Sequence, residues 1–384
     1  MSSARQGGMK RKRVPVKENL PVKEKKPRCE EEITSPNTSD ERLPLSELSR
    51  IHINETVESR VFSVFTRCKK ACPIPSTQNI DGNLLWKFYM RKDAECSEAR
   101  SSCFFTSNPS IQPRMRSVLL EWLIEVCDVY KLHRETYFLA VDYLDRYLSS
   151  SENISKNQLQ LIGVTCLLIA SKFEEIYPPK LSEFAYITDG SCSEEDILHT
   201  EILIVKAIDW KCTTITPDRW LSIFLQLLYI KDGDVTVLTK FSTKLYETIA
   251  RLLDLCSLDE GFLRFSYRIL AATAFNCICS KPSALVGWGM RSSDIKECTE
   301  WMRPFWHVLK EKCGVEPASI NLKALPPGPK PADYKHTLMK RNVSLDLLSA
   351  AQELAEVETT PGLLTPPSSS KSSGKPSTPP STRD

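Results

Sequence analysis

The sequence predicts an all-α protein built as two tandem five-helix bundles, with disordered N- and C-terminal tails. Three observations carry that prediction. Apolar residues recur at helical spacing between Ile111 and Lys312, and the pattern runs through twice, each time with a central helix that is apolar on most sides. Both ends of the chain lack such periodicity and are too polar to bury a core. The boundaries that follow are residues 1–80 for a basic N-terminal region, 81–113 for a short helix and linker, 114–213 and 214–313 for the two bundles, and 314–384 for a mostly disordered tail.

A short helix is expected near Gly82–Asp93, followed by a loop that closes at Pro109 and Pro113. RMRSVLLEWLIEVCDVYKL (114–132) then sets Met115, Val118, Leu119, Trp122 and Val126 at helical spacing. RETYFLAVDYLDRYLSS (134–150) is a second amphipathic helix. NQLQLIGVTCLLIASKFEE (157–175) is a third, apolar nearly all round, so other helices must pack about it. KLSEFAYI (180–187) is a short fourth helix. SEEDILHTEILIVKAIDW (193–210) is a fifth, opened by Ser193 as a cap and by acidic residues that complement the helix dipole.

The pattern restarts at Thr216-Pro217, an N-cap followed by a proline at the first helical position, which carries DRWLSIFLQLLYI. Helices over 236–256, 261–280 and 293–313 follow, and RILAATAFNCI mirrors LIGVTCLLIAS as a small-residue-rich, apolar centre. Beyond them, SLDLLSAAQELAE (344–356) leaves open a further amphipathic helix packed on the core.

Composition excludes several classes. The longest apolar runs, such as Leu161–Ala170, fall short of the roughly 18 residues that suggest a membrane span, and a soluble intracellular protein is expected. The 14 cysteines are scattered without a CxxC pair, and Cys127 and Cys166 lie on apolar helical faces, as reduced core cysteines do. The five histidines sit near no cysteine cluster at ligand spacing, so neither metal nor cofactor is expected. Residues 1–28 carry ten Lys/Arg against two Glu, whereas Ile111–Lys312 carries 23 basic and 27 acidic residues. The helical region therefore lacks the basic surface that nucleic-acid binding requires.

One stretch, LIASKFEEIYPP (168–179), places a lysine and two carboxylates at the end of the central helix. Glu174 and Glu175 are neighbours about 100° apart on a helix and cannot act as an acid/base pair across a substrate. Taken alone they read as a solvated helix end. Lys172 shares a face with Leu161, Thr165 and Leu168, and either snorkels to the surface or pairs with an acid, for which Glu201 is the candidate. Met115, Leu119 and Trp122 fall at i, i+4 and i+7, which as a bare pattern is a core face.

MRSVLLEWLIEV, HRETYFLAVDYLDRYL, ASKFEEIYPPKLSEFAYITDG and the spacing to Glu201 resemble the cyclin box, most closely that of the E-type cyclins of the G1/S transition. The resemblance spans about 81–313 and includes all five positions that mark the box: Arg116, Leu119, Asp145, Lys172 and Glu201. It implies a non-catalytic subunit that binds and activates a cyclin-dependent kinase, with cyclin-dependent kinase 2 as the expected heterodimer partner. Lys172 and Glu201 then match a pair that hydrogen-bonds the kinase beside its αC helix, with Phe173 and Ile176 as apolar contacts and Glu174 and Glu175 at the rim. Arg116 and Asp145 match a salt bridge inside the box. Met115, Leu119 and Trp122 match a shallow patch for Arg-x-Leu segments of substrates and inhibitors, with Glu125 and Gln160 as its polar partners. MRSVL stands where that family usually reads MRAIL, so Ser117 and Val118 suggest a shallower patch.

The tails add two signals. KRKR at 10–13 reads either as a nuclear-import signal or as a solvated basic tail, and the cyclin resemblance favours the first, so a nuclear location is expected. LLTPPSS resembles the E-type phosphodegron: phosphate on Thr365 would offer charge to an arginine cluster of an F-box ubiquitin-ligase receptor, Leu363 and Leu364 would fill an apolar pocket, and Ser369 supplies a second acceptor. Two competing readings stand beside this one. A transcription-factor-like protein holding nucleic acid with the same double bundle lacks the zinc ribbon and basic surface, and an enzyme lacks any nucleophile–base constellation or phosphate loop.

Overall fold

Where the chain places its caps decides where the helices begin and end. The computed structural model describes residues 73–74, 81–228, 242–317 and 337–359, all inside one unit that spans 59–384. Asp81 accepts the Asn83 amide to open helix α1 (Gly82–Ala99), which runs a turn and a half past its expected end. A single-turn helix α2 (Phe104–Ser107), with no periodicity to announce it, lies in the linker. The first repeat holds α3 (Pro113–Tyr130), α4 (Arg134–Ser150), α5 (Leu159–Glu174), α6 (Leu181–Ile187) and α7 (Glu194–Ala207).

Pro113 sits in the first turn of α3, where its missing N–H costs nothing, and Lys131 ends that helix in the left-handed region at φ 57°. Ser193 and Asp196 close a reciprocal capping box on α7. In the second repeat Thr216 caps α8 (Pro217–Leu227) by accepting the Arg219 amide at 3.2 Å. Then come α9 (Thr243–Ser257), α10 (Tyr267–Cys279), a short α11 (Pro282–Gly287) and α12 (Lys296–Cys313), which Gly314 terminates at φ 61°.

Helix α5 packs against α3, α4 and α7, and α10 packs against α8, α9 and α12, so each repeat wraps its own central helix as the periodicity implied. The approach of α3 to α5 depends on Gly163. A Cβ there would lie 2.8 Å from Cδ1 of Leu119. Burial is complete at Val164, Cys166 and Leu167 on α5 and at Ala271, Ala274 and Phe275 on α10, and these residues centre the two cores.

The repeats are joined by buried polar groups as well as apolar ones. Asp142 of α4 accepts from Thr214 and Tyr267, and Asp93 of α1 accepts from the Trp220 indole and the Arg268 amide. Each pairing satisfies groups whose burial alone would be expensive.

The tail drawn from residue 314 onward contains a packed segment. Residues 337–343 pair with 132–134 through an isolated antiparallel bridge, His133 to Leu338, and lead into α13 (Leu345–Thr359). Leu348 and Ala351 bury α13 against α12, with further contacts to α3 and α9. The amphipathic pattern at 344–356 is thus a docked helix.

Candidate functional site

Lys172 and Glu201 meet at the surface of the first repeat. Lys172 leaves the last turn of α5, and its Nζ lies 2.7 and 2.8 Å from the two carboxylate oxygens of Glu201 on α7. The lysine side chain is 46% exposed and the glutamate 20%, so the pair is fixed in place while its donors still face outward. Beside it Phe173, Ile176 and Tyr177 stand in solvent where Pro178 and Pro179 stop the chain, Ile176 being 85% exposed. On α7 the exposed Leu198 and Ile202, four residues apart, share a face of the helix with Glu201 at its edge. These two were missed in the sequence; the signal was there, because ILHTEILIV is apolar over more of its circumference than a capped surface helix needs. The result is an apolar strip with one organised ion pair at its edge, which is how docking surfaces are built.

Glu174 and Glu175 are not a solvated rim. Glu175 folds back, its side chain 8% exposed, to accept the His133 amide at 2.8 Å, the Thr136 hydroxyl at 2.6 Å and the His133 ring at 2.7 Å. Burial opposes its ionisation, yet the hydrogen bonds from His133 and Thr136 outweigh that and hold its carboxyl below the usual range. Glu174 pairs instead with Arg219 of α8, which also faces Glu135. Burial pushes the Glu135 carboxyl up to about 8 against the pull of Arg219. The two acids that oppose the α5 dipole have thus found basic partners, Glu175 in the turn before α4 and Glu174 in the second repeat.

Behind this surface lies a rigid frame. The Arg116 guanidinium makes a two-pronged bond to Asp145, both contacts 2.7 Å, and its third nitrogen donates to the Ser257 carbonyl at 2.9 Å. Both side chains are buried, so every donor direction used here replaces lost water. Ser117 points the same way. Its hydroxyl donates to the Leu258 carbonyl at 2.7 Å, so it ties the repeats together and does not alter the patch face at all. A second buried pair, Arg134 with Asp254 at 3.0 Å, repeats the device between α4 and α9.

On the patch face Leu119 is nearly buried against Gly163, Met115 and Trp122 are half-buried, and Val118 is exposed. Gln160, one turn before Gly163 on α5, accepts from the Ser191 hydroxyl at 3.0 Å. Glu125 extends from the same side of α3, and its carboxylate is met by Arg341 at 2.9 Å. The periodicity reading of this face as core holds fully for Leu119 and in part for Met115 and Trp122, which pack against the core while staying partly exposed.

No cluster of potential metal ligands occurs among the described residues, and burial pushes Cys96, Cys277, Cys279 and Cys298 up to about 12, which leaves them poor nucleophiles. Thr365, Ser369, Leu363, Leu364 and the KRKR segment at 10–13 lie outside the described residues.

Residues 85–213, from α1 to the end of the first repeat, match the family model of the cyclin N-terminal domain. The chain is 41% identical over 313 residues to the G1/S-specific cyclin-E1 of Rattus norvegicus, an alignment that covers 79% of this chain and 74% of that protein. Against the cyclin-E1 of Gallus gallus it is 37% identical over 347 residues, covering 88% and 80%, and against that of Danio rerio 38% over 317 residues, covering 80% and 75%. The chain belongs to the E-type cyclins. An E-type cyclin is a regulatory subunit that binds and activates a cyclin-dependent kinase and promotes the G1/S transition, and it performs no chemistry of its own. The reading as a nucleic-acid-holding double bundle is not favoured. In this cyclin the structure brings Lys172, Phe173, Ile176 and Glu201 together on one surface, and Met115, Leu119, Trp122, Glu125 and Gln160 on a second along α3 and α5.

Proposed function

We propose that this cyclin activates cyclin-dependent kinase 2 through the Lys172–Glu201 surface and recruits Arg-x-Leu proteins through the α3 patch. The observation that carries the reading is the organised ion pair at the edge of an exposed apolar strip. A lysine already held by a neighbouring acid offers its remaining donor to a partner without the entropy of ordering a free side chain. The exposed side chains of Phe173, Ile176, Leu198 and Ile202 supply the apolar area, and docking on the kinase αC helix would hold its Lys–Glu pair and activation loop in their active arrangement. Lys172, Phe173, Ile176 and Glu201 bind kinase, Arg116 and Asp145 hold the frame, and Met115, Leu119, Trp122, Glu125 and Gln160 bind substrate. The basic KRKR segment directs the complex to the nucleus, and phosphorylation at Thr365 and Ser369, with Leu363 and Leu364, hands it to an F-box receptor.

Purified chain and kinase test this together. Active complex should form with cyclin-dependent kinase 2, and the triple substitution Met115→Ala, Leu119→Ala, Trp122→Ala should leave phosphorylation of a short peptide intact while lowering that of proteins with an Arg-x-Leu segment. No activation of that kinase refutes the partner, and equal phosphorylation by folded triple mutant and wild type refutes the patch.

A further inference from the structure

The patch carboxylate is already taken. Glu125 faces outward from α3 with its side chain 47% exposed, and Nη1 of Arg341 lies 2.9 Å from it. Arg341 is not a wandering tail residue, because its backbone is anchored on both sides. Before it, the Arg134 amide donates to the Thr337 carbonyl at 2.7 Å and the Met339 amide to the Leu132 carbonyl at 2.9 Å, with the Met339 side chain fully buried. After it, the Arg251 guanidinium donates to the Asn342 carbonyl at 3.1 Å, Val343 is buried, and the Leu345 amide donates to Glu121 at 3.1 Å as α13 starts. The neighbouring Lys340 is held by Glu247 at 2.7 Å.

We propose that Arg341 is a built-in competitor for the docking carboxylate, so that the strap at 337–343 sets how strongly arginine-bearing peptides bind the patch. The inference rests on the docking reading above and adds its regulation. A guanidinium that would grip Glu125 with both prongs needs the Oε1 that Arg341 already meets, and the two cations repel each other. The strap presents Arg341 at high effective concentration, since its anchors have already lost the freedom a peptide must lose on binding. Both partners are half exposed, so the competitor is weak enough to be displaced. That combination grades binding: a ligand relying on its arginine meets a penalty, and one anchored by its leucine alone does not.

Fluorescence anisotropy of a labelled Arg-x-Leu peptide, titrated with the full chain in complex with its kinase, tests this. Arg341→Ala and Arg341→Gln should each tighten binding by about two- to fivefold, the range expected for releasing one exposed ion pair. Glu125→Gln should weaken binding, and adding Arg341→Ala to it should gain less than Arg341→Ala gains in the wild type. A peptide with alanine for the arginine should bind wild type and Arg341→Ala alike. If binding depends on Glu125 but both Arg341 variants match or fall below wild type, the competitor is refuted while the docking site stands. If the peptide does not bind, or ignores Glu125→Gln, the docking reading fails and the competitor with it. Arg341→Gln retains most of the side chain's packing, so its affinity decides the question if the alanine variant loosens the strap.

Discussion

Glu175, the C-cap of α5, accepts hydrogen bonds from both the backbone amide and the ring of His133, at 2.8 and 2.7 Å. The contact fixes the end of the helix that presents Lys172 and Phe173, and it does so from the turn between α3 and α4. His133 is also the residue whose backbone bridges to Leu338, so the C-terminal strap and the end of α5 meet at one residue, the first through its main chain and the second through its amide and ring.

This pair makes a pH-dependent contribution whose sign can be worked out. The hydrogen bond with Glu175 raises the His133 pKa above its ordinary 6.5, with burial opposing. Stabilisation by the histidine is therefore complete below 6.5 and is lost as pH rises through the raised folded value. The Glu175 value is lowered from 4.5, so its share is present above 4.5 and is lost as pH falls through the folded value. Wild type should exceed His133→Asn by about 1–2 kcal/mol near pH 5.5, a range discounted for the partial exposure of the ring. Urea titrations of both proteins from pH 5 to 8.5 check it: the gap should narrow as pH rises above 6.5.

Replacing Lys172 or Glu201 with alanine should separate binding from folding. The pair is partly solvated in the free protein, so each variant should lose less than about 1 kcal/mol of stability. Kinase affinity should fall by about 2–5 kcal/mol, the usual cost of stranding one charge in an interface. Calorimetric titration with purified kinase, beside thermal unfolding of the free cyclins, measures both quantities, and unchanged affinity in both variants counts against the assignment.

Arg116→Ala should behave in the opposite way. It strands the fully buried Asp145 and removes the donor to the Ser257 carbonyl, so a loss of about 3–5 kcal/mol is expected. Chemical denaturation should show it whether or not the kinase is present. Wild-type stability in this variant would contradict its role as frame.

Turnover is addressed through Thr365, which lies beyond the described helices. Under the proposed degron, Thr365→Ala removes the phosphate acceptor, and each charge-assisted hydrogen bond lost with it would contribute on the order of 1.5–3 kcal/mol. A longer half-life is expected for Thr365→Ala and an intermediate one for Ser369→Ala, with kinase activation equal in all three proteins. Superimposable decay of wild type and Thr365→Ala after a cycloheximide block would make LLTPP an ordinary tail.

Much of the Lys172–Glu201 surface was legible because its parts are local. Lys172 ends a helix whose apolar face is read directly from period, Glu201 follows a Ser193 cap that fixes the helix carrying it, and the double proline marks where the chain must turn. Leu198 and Ile202 escaped notice because an exposed apolar residue and a core one look the same in a helical pattern. The short α2 and α11 were missed for a related reason: four and six residues are too few to establish a period.

The sequence by itself determined the longer helices, the Ser193 and Thr216 caps, the doubling of the bundle and the family, since each rests on residues a few positions apart or on motifs along the chain. Tertiary structure alone decided that Glu175 turns inward to His133, that Ser117 bonds to Leu258 in the other repeat, and that Arg341 covers Glu125. In each case a polar side chain had the choice between water and a partner more than forty residues away in the chain. Helical periodicity says which face a residue occupies, but the partner depends on how the two repeats and the C-terminal strap dock.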